Sequence, residues 1–424
     1  MLIVADDFGR ELMASYGGET FDLPTLDGDG WVRFETCYAT PLCSPSRVEL
    51  ISARYPFRSY HAWGELARDQ PTFVRHLRDA GYRTVAAGKW HMGGWDDDEP
   101  GIVAAGFESH CSYDYAGVLA ASFEDGGNQY WGGEIITDGV RSPLTEYGPD
   151  RFARFVTDAI AARPSDGRPL FAYYGINLCH RPFMPTSAHP DAPPAGQPPP
   201  RKWMGHKGDA EHFPAMVRHV DAIVGRILDA IDAAGVADDT VVVFTSDNGT
   251  DNVHEAKTVR TDYLGRSVEG GKYFPTELGL NVPLLWRWPG TFPPRRTAAL
   301  TDFTDIGATL CAIAGAEPVP QSDGRDLRSV LRGESDAGKA HLWSFGNFER
   351  SSRRYKQPAE WVPKGRLFDV VRGDRWKWVS RGQLYDLDAD WFEESPVRPP
   401  TSREHRERLK AFNAALRGSE PKRW

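Results

Sequence analysis

Short apolar runs alternate with helical patterns along most of this chain, and this alternation limits the folds open to it. The run Leu2–Ala5 is typical of a strand, and Thr240–Thr245 is a β-branched run suited to a buried strand. From Met216 to Ile231, apolar residues recur at helical spacing. The pattern predicts an α/β fold, with a large mixed, mostly parallel sheet sandwiched by helices.

Further elements continue this alternation. The predicted strands are Arg83–Ala87, Leu170–Ile176 and Val282–Trp286, and the predicted helices are Thr72–Ala80, Arg151–Arg163 and Asp302–Ala314. The proline-rich segment His189–Lys202 is expected to be irregular.

After about residue 335, the pattern changes to short strands joined by polar turns. These strands are Leu342–Phe345, Phe368–Arg372, Trp376–Ser380 and Gln383–Leu387, and a helix is predicted at Ser402–Leu416. We therefore predict two units. One is a large α/β domain over residues 1–335, and the other is a subdomain over 336–424 with a small antiparallel sheet and a terminal helix.

Charge and apolar content exclude some classes of protein. The net charge is −9 and the charged residues of both signs are interspersed, so no nucleic-acid surface is expected. No stretch approaches the roughly 20 apolar residues of a membrane span. No signal peptide is recognisable at Met1, so the sequence as written predicts a cytoplasmic protein, or a periplasmic or secreted one if a leader is missing.

The cysteine pattern argues against a disulfide framework and against a structural zinc site. There are 5 cysteines, an odd number, at wide spacings and without a C-x-x-C motif. A single cysteine with a chemical role is the more specific hypothesis.

Acidic and amide side chains follow two predicted strands. Asp6 and Asp7 come after the first strand, and Asp247 and Asn248 come after Thr240–Thr245. Alone, each group is typical of a turn or a helix cap. Because open α/β sheets place ligand sites at strand ends, the four side chains together predict a cation site. Oxygen ligands favour calcium or magnesium over zinc.

The segment Cys43-Ser44-Pro45-Ser46-Arg47 is the candidate centre of the chemistry. We expect this cysteine in a loop, where the charge of Arg47 would lower the pKa of the thiol. A thiolate nucleophile with a histidine base is one reading, although a lone cysteine is more often a small buried apolar residue.

Cationic groups also cluster near predicted strand ends. Lys89 and His91 follow Arg83–Ala87, His180 follows Leu170–Ile176, and Lys272 precedes Val282–Trp286. Singly, each lysine would be a solvated surface charge. As a cluster, such groups stabilise charge on a transferring oxyanion.

Taken in order, these segments resemble the type I, formylglycine-dependent sulfatases of the alkaline phosphatase superfamily. Cys43-Ser44-Pro45-Ser46-Arg47 matches that family's C-x-P-S-R signature. The resemblance continues through Asp6-Asp7-x-Gly9, Gly88-Lys89-Trp90-His91, His180-x-Pro182, Ser246-Asp247-Asn248-Gly249, Lys272 and Glu277, and on to Leu384-Tyr385-Asp386-Leu387. It therefore spans nearly the whole chain.

The resemblance implies a sulfatase that hydrolyses sulfate monoesters of a carbohydrate. Cys43 would be oxidised to Cα-formylglycine by a separate formylglycine-generating enzyme. One divalent cation, Ca²⁺ with Mg²⁺ as the alternative, would be held by Asp6, Asp7, Asp247, Asn248 and residue 43. The catalytic side chains would be Cys43, Arg47, Lys89, His91, His180 and Lys272.

The resemblance also implies roles for these side chains. A hydroxyl of hydrated formylglycine would attack sulfur, with Lys89, Lys272 and His180 binding the sulfate oxygens. His180 or Lys272 would protonate the leaving alcohol, His91 would take a proton from the second hydroxyl, and Arg47 would anchor residue 43.

Three other functions remain open from the sequence. They are a phosphate or phosphonate ester hydrolase of the same superfamily, a non-catalytic sulfated-glycan binding paralogue, and a thiol hydrolase using Cys43 and His180. Aromatic residues in the predicted substrate loops could stack on sugars or pack within the loops; they include Trp63, Trp95, Tyr130 and Trp131. His61, His254 and Arg260 could also reach the substrate.

Overall fold

The computed structural model describes residues 1–60, 64–93, 100–113, 128–162, 167–205, 207–346, 368–379 and 383–397. Its strands are β1 (Leu2–Ala5), β2 (Val32–Phe34), β3 (Cys37–Tyr38), β4 (Arg83–Gly88), β5 (Ser109–Tyr113), β6 (Glu134–Thr137), β7 (Val140–Pro143), β8 (Leu170–Gly175), β9 (Val242–Ser246), β10 (Thr261–Tyr263), β11 (Arg266–Val268), β12 (Leu284–Arg287), β13 (Arg295–Thr297), β14 (Thr301–Asp302), β15 (Leu342–Phe345), β16 (Asp369–Arg372), β17 (Trp376–Val379) and β18 (Gln383–Asp386).

The helices lie between these strands. They are α1 (Cys43–Ser52), α2 (Pro56–Ser59), α3 (Phe73–Asp79), α4 (Gly101–Ala104), α5 (Gly148–Ala161), α6 (Phe213–Ala233), α7 (Glu277–Leu280), α8 (Phe303–Ala314) and α9 (Arg328–Leu331). Short 3₁₀ turns occur at Arg10–Leu12, Ala14–Tyr16, Arg201–Trp203, Ala210–His212, Ala237–Asp239 and His254–Thr258.

A ten-stranded mixed sheet forms the centre of the molecule, in the order β13-β2-β12-β9-β1-β8-β4-β5-β6-β7. The five central strands, from β9 to β5, run parallel to one another. Antiparallel pairing is found around β12 and β6. The prediction of a large mixed, mostly parallel sheet is therefore confirmed, and the carboxyl ends of the central strands meet at one edge.

Helices cover both faces of this sheet because its central strands are apolar on both faces. In β1, Leu2 and Val4 pack with the core that includes α1, α3 and α8. Ile3 and Ala5 of the same strand pack on the opposite side with α5 and α6. Alternate residues of a strand point to opposite faces, so a continuous apolar run is what a sheet between two helical layers requires.

Local hydrogen bonds set the element boundaries. Helix α3 begins after Thr72, whose side chain accepts from the backbone of Arg75. Helix α8 begins after Asp302, which forms a capping box with Asp305. The predicted strand Thr240–Thr245 is displaced to β9, because the N–H of Thr240 is used in a turn to Ala237.

The C-terminal region contains a four-stranded antiparallel sheet in the order β15-β16-β17-β18. One face packs on the larger body, where Leu342, Val370 and Tyr385 share an apolar cluster with Tyr38 and Leu280. The predicted small antiparallel sheet is confirmed. The helix predicted at Ser402–Leu416 lies outside the described residues, and the division at residue 335 stays a prediction.

In the described ranges, no helix is both long enough and apolar enough to cross a bilayer. All five cysteines are free thiols with buried side chains.

Candidate active site

The predicted polar groups converge because the strands that carry them are neighbours. Asp6 follows β1, Asp247 follows β9, and Lys89 follows β4. Backbone bonds continue the sheet beyond its strands, with Asp247 N donating to Ala5 O at 3.0 Å and Lys89 N to Gly175 O at 2.7 Å. The site therefore lies at the carboxyl edge of the parallel strands, as strand-end reasoning predicts.

Two glycines allow the ends of β4 and β8 to approach closely. A Cβ on Gly175 would lie 2.3 Å from the carbonyl oxygen of Lys89 and 2.8 Å from Nη1 of Arg47. A Cβ on Gly88, at φ +79°, would lie 2.1 Å from the carbonyl oxygen of Gly175. Side chains at these positions would separate the strand ends that position the site.

Cys43 is the first residue of α1, so the expectation that it lies in a loop is wrong. Pro45 is the third residue of the helix, and proline is tolerated in a first turn because the N–H it lacks would have no partner there. Since residues four apart share a helix face, Cys43 and Arg47 point into the same region.

Arg47 fixes α1 to the strand ends. Its Nε and Nη2 atoms contact Oδ2 of Asp247 at 2.9 and 2.8 Å, and its Nη1 donates to Lys89 O at 3.0 Å and to Tyr173 Oη at 2.7 Å. Burial lowers the pKa of Arg47, but Tyr173 and Asp247 more than offset this effect and raise it. The guanidinium is therefore charged and held by three elements.

The carboxylates and lysines form two short ion pairs. Asp6 Oδ2 lies 2.6 Å from Nζ of Lys89, and Asp7 Oδ2 lies 2.6 Å from Nζ of Lys272. Asn248 Nδ2 donates to Asp7 Oδ1 at 2.7 Å. All five side chains are buried.

Possible ligand atoms lie close together in two overlapping groups. One ligand atom each from Asp6, Cys43 and Asp247 fall within 4.8 Å of one another, and so do those from Asp6, Asp7 and His180. The structure thus brings together the predicted ligand residues, and His180 joins them.

Asp6 and Asp247 lack full charge compensation in this site, whereas Lys272 more than offsets the burial of Asp7 and lowers the pKa of Asp7. Burial, and then the neighbouring Asp6, raise the pKa of Asp247 to about 6. The pKa of Asp6 is also raised, first by burial, although Lys89 opposes this shift. The buried oxygens Asp6 Oδ1 and Asn248 Oδ1 accept no hydrogen bond from the described residues. Carboxylate and amide oxygens in this state suit a hard divalent cation.

Cys43 and His91 face each other in uncharged forms. Cys43 Sγ lies 3.4 Å from Nδ1 of His91. Burial raises the pKa of the Cys43 thiol, and burial together with Lys89 lowers the pKa of His91 well below its ordinary value. A Cys43 thiolate paired with a His91 imidazolium is therefore disfavoured. Burial, Lys89 and Lys272 also lower the pKa of His180, the base of the predicted thiol hydrolase, to about 3, which argues against that function.

The two candidate proton donors differ in charge. Burial, Lys89 and Lys272 lower the pKa of His180 to about 3, so this imidazole is neutral near pH 7. Its Nδ1 must carry the proton, because it lies 2.6 Å from the carbonyl oxygen of Arg181. Burial lowers the pKa of Lys272, but Asp7 more than offsets this and raises it well above its ordinary value.

The structure adds groups that sequence reasoning missed. Arg181 Nε donates to Oδ2 of Asp251 at 2.5 Å, and the same oxygen lies 3.8 Å from Nζ of Lys272. Tyr173 also belongs to this set, because its hydroxyl oxygen accepts a hydrogen bond from Arg47 and so orients the guanidinium. In the sequence, only its position next to His180 could have indicated that Arg181 belongs to the site. Asp251 lies two residues after the Ser246–Gly249 segment and is part of no recognisable motif.

Two of the aromatic residues that could either stack on sugars or pack within the loops lie inside the protein. Tyr130 and Trp131 are buried, and Trp131 Nε1 donates to Pro185 O at 2.8 Å. The stacking interpretation is therefore wrong for this pair. Trp63, Trp95 and His61 lie outside the described residues. Arg260 is an exposed residue paired with Glu269, and His254 begins a 3₁₀ turn.

Comparison with known proteins agrees with this arrangement. The family model described as Sulfatase matches residues 1–316. Bovine arylsulfatase A is 29% identical over 82% of this chain and 70% of its own length. An N-acetylgalactosamine-6-O-sulfatase of Bacteroides thetaiotaomicron is 25% identical over 93% of this chain and 88% of its own.

Solved structures show the same fold at lower identity. The structure of Ps i-CgsB with k-i-k-neocarrahexaose has a TM-score of 0.77 at 20% identity, covering 100% of this chain and 93% of that one. The phosphonate monoester hydrolase of Agrobacterium radiobacter has a TM-score of 0.67 at 19% identity, covering 98% and 94%. With the family model matching most of its length, this chain belongs to the sulfatase family, the sulfuric ester hydrolases of the alkaline phosphatase superfamily.

Proposed function

We propose that this sulfatase hydrolyses a carbohydrate sulfate monoester at the carboxyl edge of β1, β4, β8 and β9, with residue 43 as formylglycine and Ca²⁺ as the cation. The observation that carries the proposal is the packing of ligand atoms from Asp6, Cys43 and Asp247 within 4.8 Å of one another, beside two buried lysines.

The residues present suit a divalent cation. Asp6, Asp7, Asp247 and Asn248 would hold it through oxygen atoms, two of which accept no hydrogen bond from the described residues. Ca²⁺ accepts irregular sets of carboxylate and amide oxygens, whereas Mg²⁺ requires a near-octahedral set that keeps several waters. A fully buried, side-chain-rich set favours calcium.

A bound divalent cation would lower the pKa of a hydroxyl on the hydrated formylglycine and would neutralise part of the sulfate charge. The remaining roles belong to side chains. Lys89 and Lys272 would bind sulfate oxygens, since both are buried ammonium groups that contact the proposed cation ligands. Arg47 would keep residue 43 in place, because its guanidinium joins α1 to Asp247 and β4.

His91 and Lys272 suit the two proton transfers. The neutral imidazole of His91 faces residue 43 through Nδ1, so it can accept a proton there. Lys272 carries its proton, whereas His180 is neutral and uses its Nδ1 hydrogen on Arg181. Of the two candidates from the sequence, we therefore favour Lys272 as the donor to the leaving alcohol, because the remaining ring nitrogen of His180, Nε2, carries no proton and can only accept a hydrogen bond.

A carbohydrate substrate is supported by the relatives. One is named as an N-acetylgalactosamine-6-O-sulfatase, and a related structure, BT4656, is described with its substrate D-glucosamine-2-N,6-O-disulfate. A formylglycine-generating enzyme would be the maturation partner, since the C-x-P-S-R segment is present at residues 43–47.

The test begins with protein co-expressed with a formylglycine-generating enzyme. Mass spectrometry of the tryptic peptide containing residue 43 should show replacement of H₂S by oxygen. The purified protein should then hydrolyse 4-nitrophenyl sulfate, and the Cys43→Ala variant should not.

Parallel assays with 4-nitrophenyl phosphate and a phenylphosphonate monoester address the alternative, since a phosphonate monoester hydrolase shares this fold. Faster cleavage of either ester than of the sulfate would refute sulfate as the preferred group. An unmodified cysteine would refute the formylglycine nucleophile and favour a non-catalytic paralogue.

A further inference from the structure

Arg181 places a guanidinium beside the site, and the proposed reaction gives it no role. Its Nε is held by Asp251 at 2.5 Å. The Asp251 carboxylate is buried, and two backbone N–H groups, of Asn252 and Val253, fix its other oxygen at 2.7 and 3.1 Å. Because Oδ2 of Asp251 also lies 3.8 Å from Nζ of Lys272, one anchored carboxylate connects Arg181 to the proposed sulfate site.

The backbone ties Arg181 to the site a second time. Its carbonyl oxygen accepts the Nδ1 hydrogen of His180 at 2.6 Å, and Nε2 of Gln129 lies 3.3 Å from the same oxygen. Both ends of the residue are therefore fixed relative to His180 and Lys272.

Most of the hydrogen-bonding capacity of the guanidinium is unused. Arginine carries five N–H donors in a planar fork. In the part of the chain that the structure describes, only the Nε donor of Arg181 has a protein acceptor. The Arg181 side chain is 21% exposed, whereas that of Lys272 is 2% exposed. Of the two cations that contact Asp251, Arg181 is therefore the one nearer to solvent.

We propose that Arg181 is a specificity-determining residue that binds a second anionic group of the substrate, a carboxylate or a further sulfate, next to the scissile sulfate. A planar fork with both Nη groups available matches the paired oxygens of these anions. Asp251 is a positioning residue, because it orients the fork before substrate binds and so reduces the entropy lost on binding. This inference rests on the proposed sulfatase function.

The test compares three aryl sulfates on the mature, formylglycine-containing protein. They are 4-nitrophenyl sulfate, 2-carboxy-4-nitrophenyl sulfate and 4-nitrocatechol disulfate. The readout is the kcat/KM of each doubly anionic ester divided by that of 4-nitrophenyl sulfate. Comparing this ratio between wild type and variants cancels the intrinsic reactivity of the leaving groups.

In Arg181→Gln, we expect the ratio to fall by roughly tenfold or more for at least one doubly anionic ester, mainly through KM. The ester affected identifies the anion as carboxylate or sulfate. Arg181→Lys keeps the positive charge and should give a ratio between those of wild type and Arg181→Gln.

Arg168→Gln is the matched control, because Arg168 is a partly exposed arginine paired with Glu108 at 2.9 Å just before β8, at the opposite edge of the sheet. Unchanged ratios for both esters in Arg181→Gln would overturn the proposal. So would an equal fall in Arg168→Gln, or a Lys variant no better than Gln. If wild type cleaves none of the three sulfates, the proposed function itself fails.

Discussion

Replacing Glu277 by glutamine is expected to destabilise this protein by several kcal/mol, because Glu277 compensates buried positive charge between α7 and the C-terminal sheet. Its Oε1 lies 3.4 Å from Nε of Arg372 and 3.2 Å from Nζ of Lys377. The three side chains are at most 8% exposed. Burial raises the pKa of Glu277, but Arg372 and Lys377 more than offset this and lower it to about 2.

The size of the effect follows from what glutamine keeps and loses. It has the same volume as glutamate and can still bond Asn281, so no cavity is formed. In the variant, Lys377 still forms its ion pair with Glu393 at 2.8 Å. Arg372 forms an ion pair with no other carboxylate among the described residues, so it loses its only one. Breaking a buried ion pair costs about 3–5 kcal/mol, and the surviving Lys377 pair favours the lower value, about 3 kcal/mol.

Urea unfolding followed by tryptophan fluorescence measures this difference. The matched control is Glu269→Gln, which breaks an ion pair with Arg260 whose side chains are 58% and 44% exposed. Exposed pairs contribute less than about 1 kcal/mol. If Glu277→Gln costs no more than Glu269→Gln, buried charge compensation is not what stabilises this contact.

The pH dependence gives a second check on Glu277. Because its folded pKa is lowered from 4.5 to about 2, its ionised form contributes stability above pH 4.5, and this contribution is lost as the pH falls toward 2. The difference between wild type and Glu277→Gln should therefore be full at pH 6 and shrink below pH 4. A constant difference would contradict this assignment.

Three further predictions follow from the structure. Burial raises the pKa of Glu11 from 4.5 to about 7, so the stability of the wild type should fall as the pH rises across this range. Measured by thermal unfolding, the free energy of unfolding of Glu11→Gln relative to wild type should increase by up to about 3 kcal/mol from pH 5 to pH 8. A constant difference would refute the raised pKa. Chelation with EDTA should lower the Tm of the wild type, because a ligand at 100 times its Kd adds about 2.7 kcal/mol to the free energy of unfolding. Ca²⁺ should then restore the Tm better than Mg²⁺. A Tm that EDTA leaves unchanged would count against the cation site. Gly175→Ala should lower kcat/KM by about 100-fold, because the added Cβ would displace Lys89. Gly225→Ala in α6 is the control and should leave kcat/KM unchanged. Wild-type rates for Gly175→Ala would contradict the close contact between Gly175 and the Lys89 carbonyl.

Much of the fold could be predicted because its central strands are buried on both faces. Leu2–Ala5 appears in the structure with the predicted bounds, and Leu170–Ile176 ends one residue early at Gly175. The error at Cys43 arose because Pro45 looks like a helix breaker, although proline is compatible with the first turn. Composition and spacing alone do not show that a helix begins two residues before a proline.

The site was partly predictable for the same topological reason. Asp6, Asp247 and Lys89 each follow a strand, and parallel neighbours bring such ends together. Arg181 and Asp251 were missed because their contact joins positions 70 residues apart without a motif. The sequence left open whether Tyr130 stacks on a sugar or packs within its loop, because it does not distinguish an exposed aromatic side chain of a loop from a buried one; the structure buries Tyr130.

The burial of Cys43 within α1 has a consequence for how the active protein is made. The Cys43 side chain is 3% exposed, and every residue of α1 is buried. Another protein cannot reach this thiol once the helix has packed, so the proposed oxidation must occur on the newly synthesised chain. Maturation and folding would then compete in time. The active fraction of a preparation would depend on how long the segment stays unfolded, and slower folding at low temperature should increase it.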